Sequence, residues 1–100
     1  MSPSDQPYEV PLSRAIRELL LRLHDEVARA GRRAEFLIAL KTISRRLRTD
    51  PQSFGEELFD LPALRLTVKV GAVLPVAVEF GVHVDRRIVF IRTFRYVAPG

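Results

Sequence analysis

Leu64-Arg65-Leu66-Thr67-Val68-Lys69-Val70 alternates strictly, and it opens the stretch from Leu61 to Val97 around which the rest of the chain is organised. The period of two is that of a half-buried strand, with Leu64, Leu66, Val68 and Val70 expected on one side and Arg65, Thr67 and Lys69 on the other. A second row follows, with Val76, Val78, Phe80, Val82 and Val84 apolar and Ala77, Glu79, Gly81, His83 and Asp85 opposite. After Asp85-Arg86-Arg87, the run from Ile88 to Val97 reads as a third strand. Connections this short favour antiparallel neighbours, because a parallel pair needs a crossover of a dozen or more residues. The expectation is a meander with one oily face and one face able to present charge.

One hundred residues make a single domain, predicted to span residues 8–100 behind a tail at 1–7. With 47% hydrophobic residues the chain can build a core. It has no cysteine, so disulfides and thiolate zinc sites are excluded, and a reducing cytoplasm fits. Residues 1–7 lack the basic start and apolar centre of a secretory signal. The longest apolar run, Ala72 to Val78, is far below the roughly 18 residues of a membrane span. A cytoplasmic protein without a membrane partner is expected.

The net charge of +4 is unevenly spread. Residues 14–48 hold ten basic and four acidic side chains, giving +6, while Asp50, Glu56, Glu57 and Asp60 make residues 49–60 −4. Basic elements around an acidic connector suit a polyanion or an acidic partner; they also suit two helices solubilised by arginine.

In chain order, Tyr8-Glu9-Val10-Pro11-Leu12 alternates weakly and is predicted as an edge strand, the place where Pro11 is tolerated. Ser13 is a good N-cap for a first helix striped by Ile16, Leu19, Leu20, Leu23 and Val27 and stopped by Gly31. A second helix over 33–48 carries Phe36, Leu37, Leu40, Ile43 and Leu47, with Arg45, Arg46 and Arg48 favoured at its end by the helix dipole. Pro51 disfavours helix at Asp50 and ends it. The short loop makes a helical hairpin, and the sheet's apolar face is where both stripes can be buried. Gln52 to Pro62 is predicted as a connector anchored in the core by Phe54, Leu58, Phe59 and Leu61.

His24 and His83 lie in different elements without the spacing of a metal site, and no nucleophile elbow, phosphate loop or dinucleotide fingerprint occurs. Attention falls on the outward row of the sheet. Arg65 and Lys69, four apart on one strand, are expected on the same side, and Glu79 and His83 on the corresponding side of the next. In the third strand two phases remain open. If Val89 and Ile91 are buried, Arg92 and Tyr96 join Arg65 and Lys69; if Ile88 and Phe90 are buried, Arg95 does. Cations that stabilise phosphorane charge, beside a His or Tyr that moves protons, would serve RNA chemistry. The plainer reading is a solvated face whose cations pair with Glu79 and discourage edge association.

Edge strand, helical hairpin and antiparallel meander together resemble the RelE/ParE superfamily of bacterial type II toxins. The most specific stretch is Asp50-Pro51-Gln52-Ser53-Phe54-Gly55-Glu56-Glu57-Leu58-Phe59-Asp60-Leu61-Pro62-Ala63-Leu64-Arg65, similar to the Asp-Pro turn, acidic Leu-containing connector and Leu-x-x-Leu-Arg lead-in of many members. The likeness spans residues 8–97. It implies an α+β domain of RelE-like fold and the toxin half of a toxin–antitoxin pair. In the RelE branch this means an mRNA endoribonuclease (mRNA interferase) without metal or other cofactor, acting with the ribosome. The implied catalytic residues are Arg65, Lys69, Arg92, Arg95, Tyr96 and His83. The implied partners are a cognate antitoxin protein, mRNA and the ribosome. The chain departs from that branch at Leu74-Pro75-Val76-Ala77-Val78-Glu79, where RelE nucleases carry a phosphate-binding arginine. The alternatives are a non-catalytic protein-binding module of the same fold, or a ParE-like inhibitor of DNA gyrase.

Overall fold

The structure, a computed structural model, describes residues 6–98. Of the expected tail, residues 1–5 lie outside the described residues. Two helices, α1 (Arg14–Arg29) and α2 (Arg33–Thr49), precede four strands, β1 (Glu56–Leu61), β2 (Leu66–Val73), β3 (Val76–His83) and β4 (Ile88–Tyr96). The strands form one antiparallel sheet in the order β1-β2-β3-β4. The helical hairpin lies on one face of this α+β fold, α1 mainly over β4 and α2 over β2 and β3. Among the described residues no helix is long and apolar enough to cross a membrane.

Local chemistry sets the helix ends. The Ser13 hydroxyl accepts a hydrogen bond from the Ile16 amide at 3.2 Å, satisfying an orphan donor of the first turn of α1. Gly31 follows α1 at φ 74°. At the end of α2, Ser53 and Arg46 each donate to the Asp50 carboxylate at 2.9 Å. Burial pushes that carboxyl up, but the bonds from Ser53 and Arg46 outweigh it and hold it below its ordinary value.

The core joins Ile16, Leu23 and Val27 of α1 and Phe36, Ala39, Ile43 and Leu47 of α2 to Val76, Val78, Phe80 and Val82 of β3. Phe80 is fully buried, and removing such a side chain from water contributes about 1.5–3 kcal/mol. The expected stripe of α2 is corrected at Leu37, which is exposed; Ala39 takes its place in the core, and Leu40 is half-buried.

Strand β3 has the expected phase, but β2 has the opposite one. Val73 pairs with Val76 across the two-residue turn Leu74-Pro75, so Gly71, Lys69 and Thr67 follow Val73 onto the helix side, opposite Val78, Phe80 and Val82. Leu66, Val68 and Val70 therefore face away from the helices, and Leu64 is exposed in a 3-10 turn (Pro62–Leu64). Two side chains replace the aliphatic row expected over β2. Phe54 stacks on Phe80 with ring centroids 5.8 Å apart, and its ring atoms would lie only 2.6–2.7 Å from a Cβ at Gly71. Lys69 is 4% exposed and donates through Nζ to the carbonyls of Pro51, at 3.3 Å, and Gln52. Those carbonyls lie in the turn that follows α2, so the lysine ties that turn to the sheet.

Three further expectations are corrected. The segment at 8–12 is not a strand: it makes a single parallel bridge, Glu9 to Ile88, while the Tyr8 amide donates to the Arg48 carbonyl at 2.8 Å. Pro7 precedes it and Pro11 lies within it, and neither can donate a ladder hydrogen bond. The fourth strand comes instead from the connector as β1, whose six residues are all exposed, so that of its expected anchors only Phe54, just before it, is buried. In β4 both phases occur. Val89 and Ile91 face the helices opposite Val82 and Phe80; an extra residue at Arg92 then shifts the register, so Phe94 and Tyr96 face the helices and Arg95 does not. Val84 lies exposed in the β3–β4 turn.

Candidate functional site

The six residues marked by the sequence do not gather at one place. Lys69 is buried under α2, and Tyr96 lies half-buried on the helix side, with the Arg32 guanidinium 5.9 Å from its ring centroid. Hydrogen bonds to Glu35 and then to the Tyr96 hydroxyl raise the Arg32 guanidinium above its ordinary value. Arg65 and Lys69 do not share a side as expected. Arg65 sits before β2 in left-handed backbone at φ 55°, which breaks the alternation, and its guanidinium meets Asp85 at 3.0 Å. His83 lies at the same end of the sheet, its Nδ1 accepting from the Arg86 amide at 3.2 Å.

Arg92 occupies the middle of the open face, 3.9 Å from the Glu79 carboxylate and 5.6 Å from the centroid of Phe59. Arg95 is exposed and pairs in register with Ala77, six residues along β3 from His83, or about 20 Å at strand rise. A phosphate held at Arg65 is therefore remote from Arg95. The groups on the open face are paired with carboxylates more than they are aimed at a common point.

A large cleft lies on the other side of the sheet. A cleft of about 960 Å³ opens between the N-terminal segment, the two helices and β4, with Val10, Leu20, Leu40, Ile43, Ile91 and Phe94 among its walls. Arg48 and Glu9 stand in the same lining. A second hollow of about 460 Å³ shares Pro7, Ser44 and Arg48 with the first and adds Lys41 and Arg45. The apolar cleft thus has a basic border along the exposed side of α2. The N-terminal wall is held by the bridge at Glu9 and by Arg87, whose guanidinium stacks 4.2 Å from the Tyr8 ring centroid and bonds the Gln6 carbonyl.

Sequence periodicity placed Leu20, Leu40 and Ile43 in a packed core; their partial role as cleft walls depends on how far the two helices splay, which no local pattern encodes. Among the described residues, no group of three His, Asp or Glu side chains is placed to hold a metal ion. Compared with known proteins, the chain matches no family model and has no significant match among curated proteins or solved structures.

Proposed function

We propose that this chain is a protein-binding module of RelE-like fold, the toxin-type half of a toxin–antitoxin pair, rather than an mRNA endoribonuclease. The supporting observation is the apolar cleft of about 960 Å³ between the helical hairpin, β4 and the N-terminal segment, bordered by Arg48 and, through the adjoining hollow, by Lys41 and Arg45. The occupant that fits is an amphipathic, acidic segment of a partner protein. Its apolar side chains fill the cleft as in helix-in-groove recognition, and its carboxylates meet the basic border. The nuclease reading draws less support, because Lys69 and Tyr96 lie on the helix side while Arg65 and Arg95 stand at opposite ends of the sheet.

Co-expression with the product of the adjacent reading frame tests this. A complex is expected whose affinity falls as salt rises and falls again in Arg45→Glu/Arg48→Glu, both exposed positions. A partner that binds equally well at high salt and to the double variant would refute the cleft as its site.

A further inference from the structure

The helices cover one face of the sheet; among the described residues nothing covers the other, and it is not polar. Phe59, Val68, Gly81 and Phe90 stand in one cross-strand row from β1 to β4, and Phe59 and Phe90 are 45% and 42% exposed. Leu66, Val70 and Leu61 extend this apolar ground on β1 and β2. Within it the charges balance: Glu56 and Glu79 stand against Arg92 and Arg95, and Arg65 pairs with Asp85 at one end.

We propose that the open sheet face is a homodimer interface, on which a second copy of this chain packs its own open face about a two-fold axis near Arg92 and Glu79. Three observations choose this occupant. The first is charge. Residues 14–49, which contain both helices, carry ten basic and four acidic side chains, so two copies repel each other through their helical layers and meet with least repulsion where the signs cancel. The second is self-complementarity. An isologous contact sets each patch against itself, and a face holding one central arginine beside one central glutamate lets Arg92 of each copy reach Glu79 of the other. The third is the same pairing seen from a nucleic-acid strand, which would meet the carboxylates of Glu56 and Glu79 and find Arg92 already laid over Phe59.

Size sets the strength. Four strands spaced about 4.8 Å apart, with about 3.4 Å of rise over eight residues, make a face of about 500 Å². Two such faces bury about 1,000 Å², at the lower edge of specific interfaces, so the dimer is expected to be weak and reversible. Stacked sheets pack about 10 Å apart, which brings the phenylalanines of each copy against the aliphatic row of the other.

The experiment is sedimentation equilibrium of the full chain, alone, from micromolar to millimolar concentration, with circular dichroism melts to confirm that each variant folds. The wild type is expected to pass from monomer to dimer. Glu79→Arg is expected to weaken the dimer by about tenfold or more by setting like charges across the axis. Glu79→Arg/Arg92→Glu exchanges the two charges and is expected to restore association, which a merely misfolded variant would not do. Phe90→Asp is expected to leave a folded monomer. A wild type that stays monomeric throughout would overturn the proposal. So would a dimer indifferent to Glu79→Arg and Phe90→Asp, which places the contact elsewhere, or a monomeric chain that binds fluorescent single-stranded RNA through Phe90.

Discussion

Both faces of the sheet carry apolar side chains yet handle them differently. On the helix side, Val76, Val78, Phe80 and Val82 of β3 are almost wholly buried by α1, α2 and Phe54. On the open side Val68 is just as buried, at 1% exposure, but without a helix over it: Phe59 pairs beside it, with the Arg92 guanidinium laid over the Phe59 ring. Burial on the first face comes from a second structural layer, and on the other from side chains that bend over their neighbours, as long arginines commonly do. A layer leaves no large apolar group in water. Side-chain cover does, and Phe59, Phe90 and Leu61 are among what remains exposed. The helix-covered face is therefore where stability resides, and the open face is where another surface can still gain contacts.

Substitutions that compare the faces should separate them. The largest effect is expected for Phe80→Ala, which opens a cavity beneath both helices and should lower unfolding free energy by about 3–5 kcal/mol. Phe90→Ala, the same change on the open face, should cost under about 1 kcal/mol in the monomer. Urea denaturation of dilute protein checks both, and equal losses would mean the two faces do not differ. Glycines give a finer contrast. Gly71→Ala drives a methyl into the Phe54 ring, which is held between Phe80 and the Arg46 guanidinium, and should cost about 1–3 kcal/mol. Gly81→Ala meets only Leu66 at 3.8 Å and should be neutral, or stabilise the strand by up to about 1 kcal/mol. Thermal melts of the two variants should move in different directions or by clearly different amounts.

Lys69→Met tests a charged group buried inside the covered face. The methionine fills similar space but takes the ammonium away from the Gln52 carbonyl and leaves the Pro51 carbonyl with the Phe54 amide at 3.4 Å, which should cost about 1–3 kcal/mol. Hydrogen exchange should then quicken at the turn that follows α2 before anywhere else. Unchanged exchange there would remove this anchoring role.

Much of this architecture could be read from the chain. The hairpin follows from Ser13, Gly31 and Pro51 as punctuation around two apolar stripes, and β3 from its unbroken alternation. The phase of β2 was misleading because its outward row, Leu66, Val68 and Val70, is richer in aliphatic groups than its buried one, Thr67, Lys69 and Gly71. The turn carried the better signal: two residues, Leu74-Pro75, set Val73 opposite Val76, and a hairpin's register outranks hydrophobicity. Gly71 inside a strand pointed the same way, since a missing side chain often marks close approach by another group. The change of phase in β4 rests on a bulge at Arg92, which no alternation rule can place. Strand β1 was hidden because an edge strand exposed on both faces reads as an acidic loop. For the candidate site, the sequence located most of the charged groups on the correct strands, Arg65 before β2 excepted, but convergence depends on those phases, and the phases separated them.

The proposed function is tested most directly by the integrity of a defined messenger RNA incubated with the purified chain, with and without ribosomes, beside Arg65→Ala and Tyr96→Phe. Because the six candidate residues are spread over both faces and both ends of the sheet, the transcript is expected to remain whole in all three cases. A wild-type chain that cuts the message, and an Arg65→Ala chain that folds equally well but does not, would contradict the binding-module reading and return this protein to the ribonucleases.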